Sequence, residues 1–295
     1  MNIKPYILLI RPANIVTAFS DILAGVAIAS IAQNSIIDIS NGFGLIFLLL
    51  STLFLYGGGI AFNDVCDAEL DTLERPERPI PSGQITKGAA LIYVIVLFIL
   101  GIFFAFLHDS ISGLIAIFIM ACAVIYDKYG KHHSLLGPIN MGLCRGGNLM
   151  LGISILPLAV ESWLSISLLP VLYIAAVTII SRGEVHGGHK KMMIFSAILY
   201  GGVHLSQLVI AWSIGYLWLA LPFVLLHIYF IFSPLLKAIQ SPLPSNIGRA
   251  VKHGVLGLIV MNAAWASVSG NYILALIILA LLPLSIQLSK YFAVT

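Results

Sequence analysis

Charge is what this sequence has least of. Only 9% of its 295 residues are Asp, Glu, Lys or Arg, where a soluble domain carries roughly 25%. That shortfall excludes a water-soluble globular fold, because too little polar surface remains to cover the apolar mass. Clustered basic residues are scarce too. The formal net charge is +3, no basic face with interleaved aromatics occurs on a polar segment, and a nucleic-acid partner is excluded. Cysteine is limited to Cys66, Cys122 and Cys144, which lie far apart. They match no metal-ligand spacing and no disulfide framework, so reduced, buried thiols are expected. Long polar stretches are missing as well. The longest, roughly 63–87, is too short to fold alone, so residues 1–295 read as a single transmembrane domain.

What fills the chain instead is apolar: 60% of residues are hydrophobic. Crossing the hydrocarbon takes about 20 mainly apolar residues in a helix, and only helices or closed barrels satisfy their backbone there. The long runs predict an all-α, polytopic transmembrane helical bundle. Spans are expected near 13–33, 43–62, 88–107, 110–126, 137–158, 163–181, 192–214, 216–236, 250–269 and 271–289. The fourth is short, the last two are separated only by Gly270, and the Pro-containing segment 241–248 reads as a short connection. Lys4 and Arg11 ahead of a stretch ending in Ala27, Ala29 and Ser30 loosely imitate a leader peptide. The stretch is long for one, and a retained first span is the expected reading.

Basic residues are sharply one-sided. Lys4, Arg11, Arg75, Arg78, Lys87, Lys128, Lys131, Arg182, Lys190, Lys191, Lys237, Arg249, Lys252 and Lys290 fall on one face if the spans alternate. The opposite loops hold Asp38, Asp109 and Glu161 and no Lys or Arg. Positive loops stay inside, so the N-terminus and the polar loops are expected in the cytoplasm, the host being a bacterial cytoplasmic (inner) membrane.

The acidity of that face is concentrated after the second span. Asp64, Asp67 and Asp71 are spaced i, i+3, i+7 and follow Asn63, which puts three carboxylates on one face if the helix continues. Pro76 prevents continuation far beyond Asp71. Carboxylates 5–6 Å apart repel by about 3 kcal/mol at an effective dielectric near 20, and a divalent cation reverses that cost. Hard oxygens with open positions suit Mg²⁺, which binds through one or two carboxylates plus substrate phosphates. Arg75 and Arg78 follow in Glu74-Arg75-Pro76-Glu77-Arg78-Pro79-Ile80-Pro81-Ser82-Gly83, and arginines grip phosphate oxygens in pairs. A charged loop is ordinarily solvated and self-paired. Carboxylates at a membrane boundary favour function instead.

These residues resemble the first motif of the UbiA superfamily of membrane prenyltransferases, and other pieces follow in that family's order. Arg11-Pro12 with Asn14 opens the first span, Tyr126 followed by Lys131 closes the fourth, and Arg145-Gly146 through Leu151-Gly152 lies in the fifth. The resemblance implies about nine core spans within 11–269, the span 271–289 being extra. It also implies a transferase of alkyl groups in which Asp64, Asp67 and Asp71, through Mg²⁺, hold an allylic prenyl diphosphate. Arg75 and Arg78 would then bind its phosphates, with a membrane-accessible acceptor as second substrate and lipid around the isoprenoid tail.

The family's second aspartate motif is altered here to Ser181-Arg182-Gly183-Glu184-Val185-His186-Gly187-Gly188-His189-Lys190-Lys191. Either Glu184 and His186 still support a metal or Arg182 and the lysines neutralise diphosphate, or the second metal site is lost. The second outcome allows a non-catalytic isoprenoid or small-molecule carrier on the same scaffold. This loop, the Glu74–Gly83 run and the span through Asn140, Arg145 and Asn148 are similar to the EboC-like branch. Among polar residues inside spans, Asp21 shares a face with Asn14, and Arg145 is its plausible partner. Asp21 either lines an acceptor pocket, with Asn14 also on the substrate side, or forms a structural ion pair or a protonated carboxyl, while Asn140, Arg145 and Asn148 are expected to line the substrate cavity, Arg145 most of all. His204, Gln207 and His227 are expected as interhelical hydrogen-bonding groups, and Trp163, Trp212, Trp218 and Trp265 as interfacial anchors.

Overall fold

A computed structural model describes residues 3–33, 42–131, 133, 136–184 and 187–290. Asp38 and His186 lie outside the described residues. The elements in order are α1 (Lys4–Leu9), α2 (Pro12–Gln33), α3 (Gly44–Cys66), α4 (Ala68–Glu74), α5 (Lys87–His108), α6 (Ser110–Ile125) and α7 (Leu136–Ile153). They continue with α8 (Ala159–Trp163), α9 (Leu168–Ser181), α10 (Lys190–Ser213), α11 (Leu217–Gln240), α12 (Pro244–Val268) and α13 (Tyr272–Leu288). Among the described residues no strand occurs.

Eight of the helical segments are long and apolar enough to cross a membrane. The two further expected spans correspond to α7, where polar residues and glycines interrupt the apolar surface, and to α13, which is short at 17 residues. The fourth expected span is not short after all. Its helix runs on through a π turn, Tyr126–Gly130, giving 21 residues from Ser110. The 241–248 connection is corrected too: Pro244 starts α12 in its first turn, where a missing N–H costs nothing.

Two helices are more enclosed than the rest. In α2 and α12, 78% and 83% of the apolar stretch is buried, against 33% to 44% in the other spans. Helix α2 packs against α3, α7, α12 and α13, and α12 packs against α9, α10, α11 and α13. Helix α13 lies over the α2–α12 seam, where the Ser285 hydroxyl donates to the Ala13 carbonyl at 3.1 Å. Trp265 on α12 is fully buried, so it is a core residue and not the interfacial anchor expected of it. Trp212 and Trp218 are exposed, at 72% and 82%.

Close backbone approach between α2 and α7 depends on glycine. A Cβ added at Gly25 would lie 2.4 Å from the Leu149 carbonyl oxygen, and one at Gly152 would lie 2.4 Å from that of Ile22. Small residues permit such contacts between membrane helices. Gly152→Leu is therefore expected to reduce folded protein sharply, since overpacking costs about 1–3 kcal/mol even where side chains can yield and backbone cannot. Size-exclusion recovery after detergent extraction checks this, and recovery equal to wild type contradicts it.

Candidate active site

The acidic site forms where the basic-rich ends of α2, α3 and the π turn meet. Helix α3 runs to Cys66 and stops at Asp67, whose φ of −89° and ψ of 3° leave the helical region; α4 resumes at Ala68 and ends at Glu74. That break corrects the single-face expectation. Asp64 and Asp71 remain together and buried, whereas Asp67 is turned to the Lys131 amine.

Each carboxylate meets a cation. The Arg78 Nη1 donates to Asp71 Oδ2 at 2.7 Å and to Asp64 Oδ1 at 3.2 Å. Arg11 Nη2 donates to the same Asp64 oxygen at 2.6 Å. Arg78 is thus committed to the aspartates rather than to Glu74 or Glu77, so the loop is not a self-paired, solvated run. Arg75 is exposed beside them. Burial pulls the Arg11 guanidinium below its ordinary value, with Asp64 opposing the shift. An arginine still stays charged. Its backbone has a φ of 44°, left-handed for a residue with a Cβ, a strain of the kind retained at functional sites.

Sequence reasoning missed two members of this group, Arg11 and Asp127. Asp127, only 5% exposed, sits in the π turn and accepts from the Asn63 amide at 2.7 Å. Its signal was its place between Tyr126 and Lys131, in the turn that ends just before that lysine. Pairing Asn63 with Asp127 ties the start of the acidic motif to the end of the fourth span. Asp64, Asp67, Asp71 and Asp127 therefore face Arg11, Arg78 and Lys131.

The donor set fits Mg²⁺. Two hard carboxylate oxygens, from Asp64 and Asp71, already share one cationic nitrogen. Among the described residues no three His, Cys, Asp or Glu side chains converge as an ion cage. The remaining positions would fall to substrate oxygens, as is usual for this ion.

Deeper in the membrane, α2, α3, α7 and α12 are joined by a second polar group. Arg145 Nη1 donates to Asp21 Oδ2 at 2.7 Å, and its Nη2 reaches Thr17 Oγ1 at 2.6 Å and the Tyr56 hydroxyl at 2.7 Å. Asn148 donates to Asp21 Oδ2 at 2.9 Å and Asn262 to Asp21 Oδ1 at 2.7 Å. Both Asp21 oxygens are taken, which is the geometry of a structural ion pair. Asn14 is half-buried toward the start of α2.

The altered loop stands apart. Glu184 is half-buried against α12, its Oε1 3.5 Å from where a Cβ on Gly248 would lie, and burial raises its carboxyl above the ordinary glutamate value. Among the described residues no hydrogen bond or ion pair joins Glu184 to the aspartates. Arg182 is exposed in the same turn.

Residues 20–241 match the model of the UbiA prenyltransferase family. A digeranylgeranylglyceryl phosphate synthase of Methanosarcina mazei is 36% identical over 142 residues, covering 48% of this chain and 47% of that protein. The chain thus matches about half the length of the curated relatives, 47% to 55% for the first three. Among solved structures, a UbiA homologue from Aeropyrum pernix superimposes with a TM-score of 0.67 at 17% identity, covering 84% of this chain and 96% of that one. A UbiA homologue from Archaeoglobus fulgidus bound to GPP and Mg²⁺ gives 0.58 at 16%, covering 86% and 99%. At such identities these structures support the fold.

Proposed function

The chain belongs to the UbiA prenyltransferase family, and on that premise we propose that it transfers an isoprenoid chain from an allylic prenyl diphosphate to a membrane-accessible acceptor, with Mg²⁺. The observation that carries this reading is the Asp64–Arg78–Asp71 bridge, with Arg11 on Asp64, at the basic-rich end of the spans. The same atoms offer carboxylate oxygens to a metal and guanidinium N–H groups to phosphate. The positive-inside pattern supports a cytoplasmic site in a multi-pass membrane protein.

Asp64 and Asp71 would hold Mg²⁺, with Asp67 released from Lys131 as a further ligand. Bound there, the ion supplies Lewis-acid stabilisation of a departing diphosphate. Arg78 and Arg11 neutralise phosphate oxygens, and Arg75 approaches from the exposed side. Asn63, oriented by Asp127, fixes the start of the motif, and Tyr126 and Lys131 close the site across from it. As the allylic C–O bond breaks, its electron pair goes to diphosphate. An acceptor lone pair then closes the new bond and the acceptor gives up a proton. Arg182, Glu184 and His186 belong to the opposing loop, whose single carboxylate favours charge neutralisation over a second metal. Assignment to the EboC-like branch rests on the residues of that loop, the Glu74–Gly83 run and the Asn140–Asn148 span.

Membranes containing the protein, incubated with labelled prenyl diphosphates of several lengths and lipid or aromatic extracts, are expected to yield a labelled product that EDTA abolishes and Mg²⁺ restores. Absence of product beyond an Asp64→Ala, Asp67→Ala control at every length ends the transferase reading. Binding without turnover, together with substrate movement across vesicles, would establish a carrier in its place. Asp127→Asn is expected to lower apparent Mg²⁺ affinity about 10- to 100-fold, the range for outer-shell partners of metal ligands. An unchanged Mg²⁺ titration removes Asp127 from the site.

A further inference from the structure

Helices α6 and α9 both pack against α7 but touch each other little, and a groove is left between them along the face of α7. Its volume is about 840 Å³, within the range of small-molecule sites. Glycine shapes it. A Cβ at Gly147 would lie 2.8 Å from Ile119 Cγ1 on α6, and one at Gly146 would lie 2.5 Å from the Ser167 carbonyl oxygen just ahead of α9. The two walls thus close down on a floor that carries no side chain at these positions. Leu114 and Phe118 form one wall and Leu164 and Leu168 the other, all apolar and exposed.

The groove is confined to one leaflet. It follows α6 from Ile111 to Phe118, about 10 Å at 1.5 Å per residue, against about 15 Å for half the hydrocarbon thickness. It opens at the end of the spans opposite the acidic cluster, where α6 begins and α8 lies. The mouth is polar. Glu161 and Ser162 of α8, with Ser165 in the turn Leu164–Ser167, line it and are exposed. Among the described residues none of these three side chains hydrogen-bonds or ion-pairs within the protein. Asp109, at the same end, is already engaged, accepting from the Ile111 N–H at 2.7 Å. The loops there contain no Lys or Arg to answer Glu161.

An apolar trough one leaflet deep, with a carboxylate and two hydroxyls at its mouth, has the layout of a phospholipid. Its chemistry also selects among headgroups. An anionic headgroup would set its phosphate beside Glu161 with no protein cation to offset the repulsion. A quaternary ammonium offers no N–H to the carboxylate, whereas a primary ammonium offers three. A second copy of this chain fits poorly, since its own loops at this level also lack Lys and Arg. We propose that the α6–α7–α9 groove is a lipid site selective for a phospholipid with a primary ammonium headgroup. A hydrocarbon chain lies over Gly146 and Gly147, the ammonium donates to Glu161, and the phosphodiester accepts from Ser162 and Ser165.

Native mass spectrometry tests this on the full chain released from nanodiscs of equimolar phosphatidylethanolamine, phosphatidylcholine and phosphatidylglycerol. Phosphatidylethanolamine is expected to be retained about two- to fivefold over either competitor, the range that one exposed ion pair supports. Glu161→Gln should equalise the three lipids. Leu114→Trp, at a position 63% exposed, should fill the groove and reduce retention of phosphatidylethanolamine without lowering Tm. Equal retention of the three lipids by the wild type overturns the proposal, as does a preference that survives Glu161→Gln. Displacement of the lipid by a long-chain prenyl diphosphate would give the groove to the substrate's tail, and a dimer that Leu114→Trp abolishes would give it to a second copy. Either result overturns the lipid site.

Discussion

Asp64→Asn is expected to lower prenyl transfer on the order of a thousandfold, the equivalent of about 4 kcal/mol in the barrier. The change keeps the side chain's shape but removes the charge shared by Arg11 and Arg78. Losing a carboxylate that holds a Lewis-acidic ion forfeits several kcal/mol of charge stabilisation. Folding should suffer less. Arg78 keeps Asp71 at 2.7 Å and Arg11 lies at the membrane boundary, so stability falls by about 1–3 kcal/mol. The comparison with Asp67→Asn sharpens the test. Asp67 faces Lys131 across the break between α3 and α4, and its loss should cost less. Single-turnover rates at saturating Mg²⁺ and prenyl diphosphate measure both. An Asp64→Asn enzyme within tenfold of wild type would place the metal elsewhere.

The second large effect is on stability. Removing either Asp21 or Arg145 strands its partner in a closed polar network, at a cost of about 3–5 kcal/mol for a buried pair. Asp21→Asn and Arg145→Met should each lower the midpoint of unfolding in mixed micelles markedly. The double variant should be more stable than the sum of the two, because no unpaired charge remains. Strict additivity would show that the 2.7 Å contact carries no coupling. Transfer activity per folded molecule should survive in all three, since both Asp21 oxygens are already engaged by protein.

The apolar spans and the Asp21–Arg145 pair were legible because membrane burial makes apolar length and stray charge conspicuous. The bend at Asp67 was not. Neither glycine nor proline marks it, and the residue enters the bridge region with ordinary chemistry. Asp127 was hidden for another reason. One aspartate after a tyrosine at a span's end looks like an interfacial charge until the π turn directs it to Asn63. Arg11 belonged to a recognisable Arg-Pro opening, but its hold on Asp64 depends on a left-handed backbone that no pattern announces. Of the polar residues of α10 and α11 expected to bond between helices, Gln207 does so, while among the described residues His204 bonds within its own helix.

The glycine contact between α2 and α7 bears on how the protein can move. Displacement by one turn, about 5.4 Å along the axis, would bring the side chain of Asp21 or Ala29 toward the carbonyls that Gly25 now clears. Sliding is blocked in both directions, and the Asp21–Arg145 bonds lock rotation. The two helices therefore behave as one rigid strut running from the acidic cluster into the bilayer. Any opening that admits a substrate must be carried by elements outside that strut, such as α13, which touches only α2 and α12 to a substantial degree.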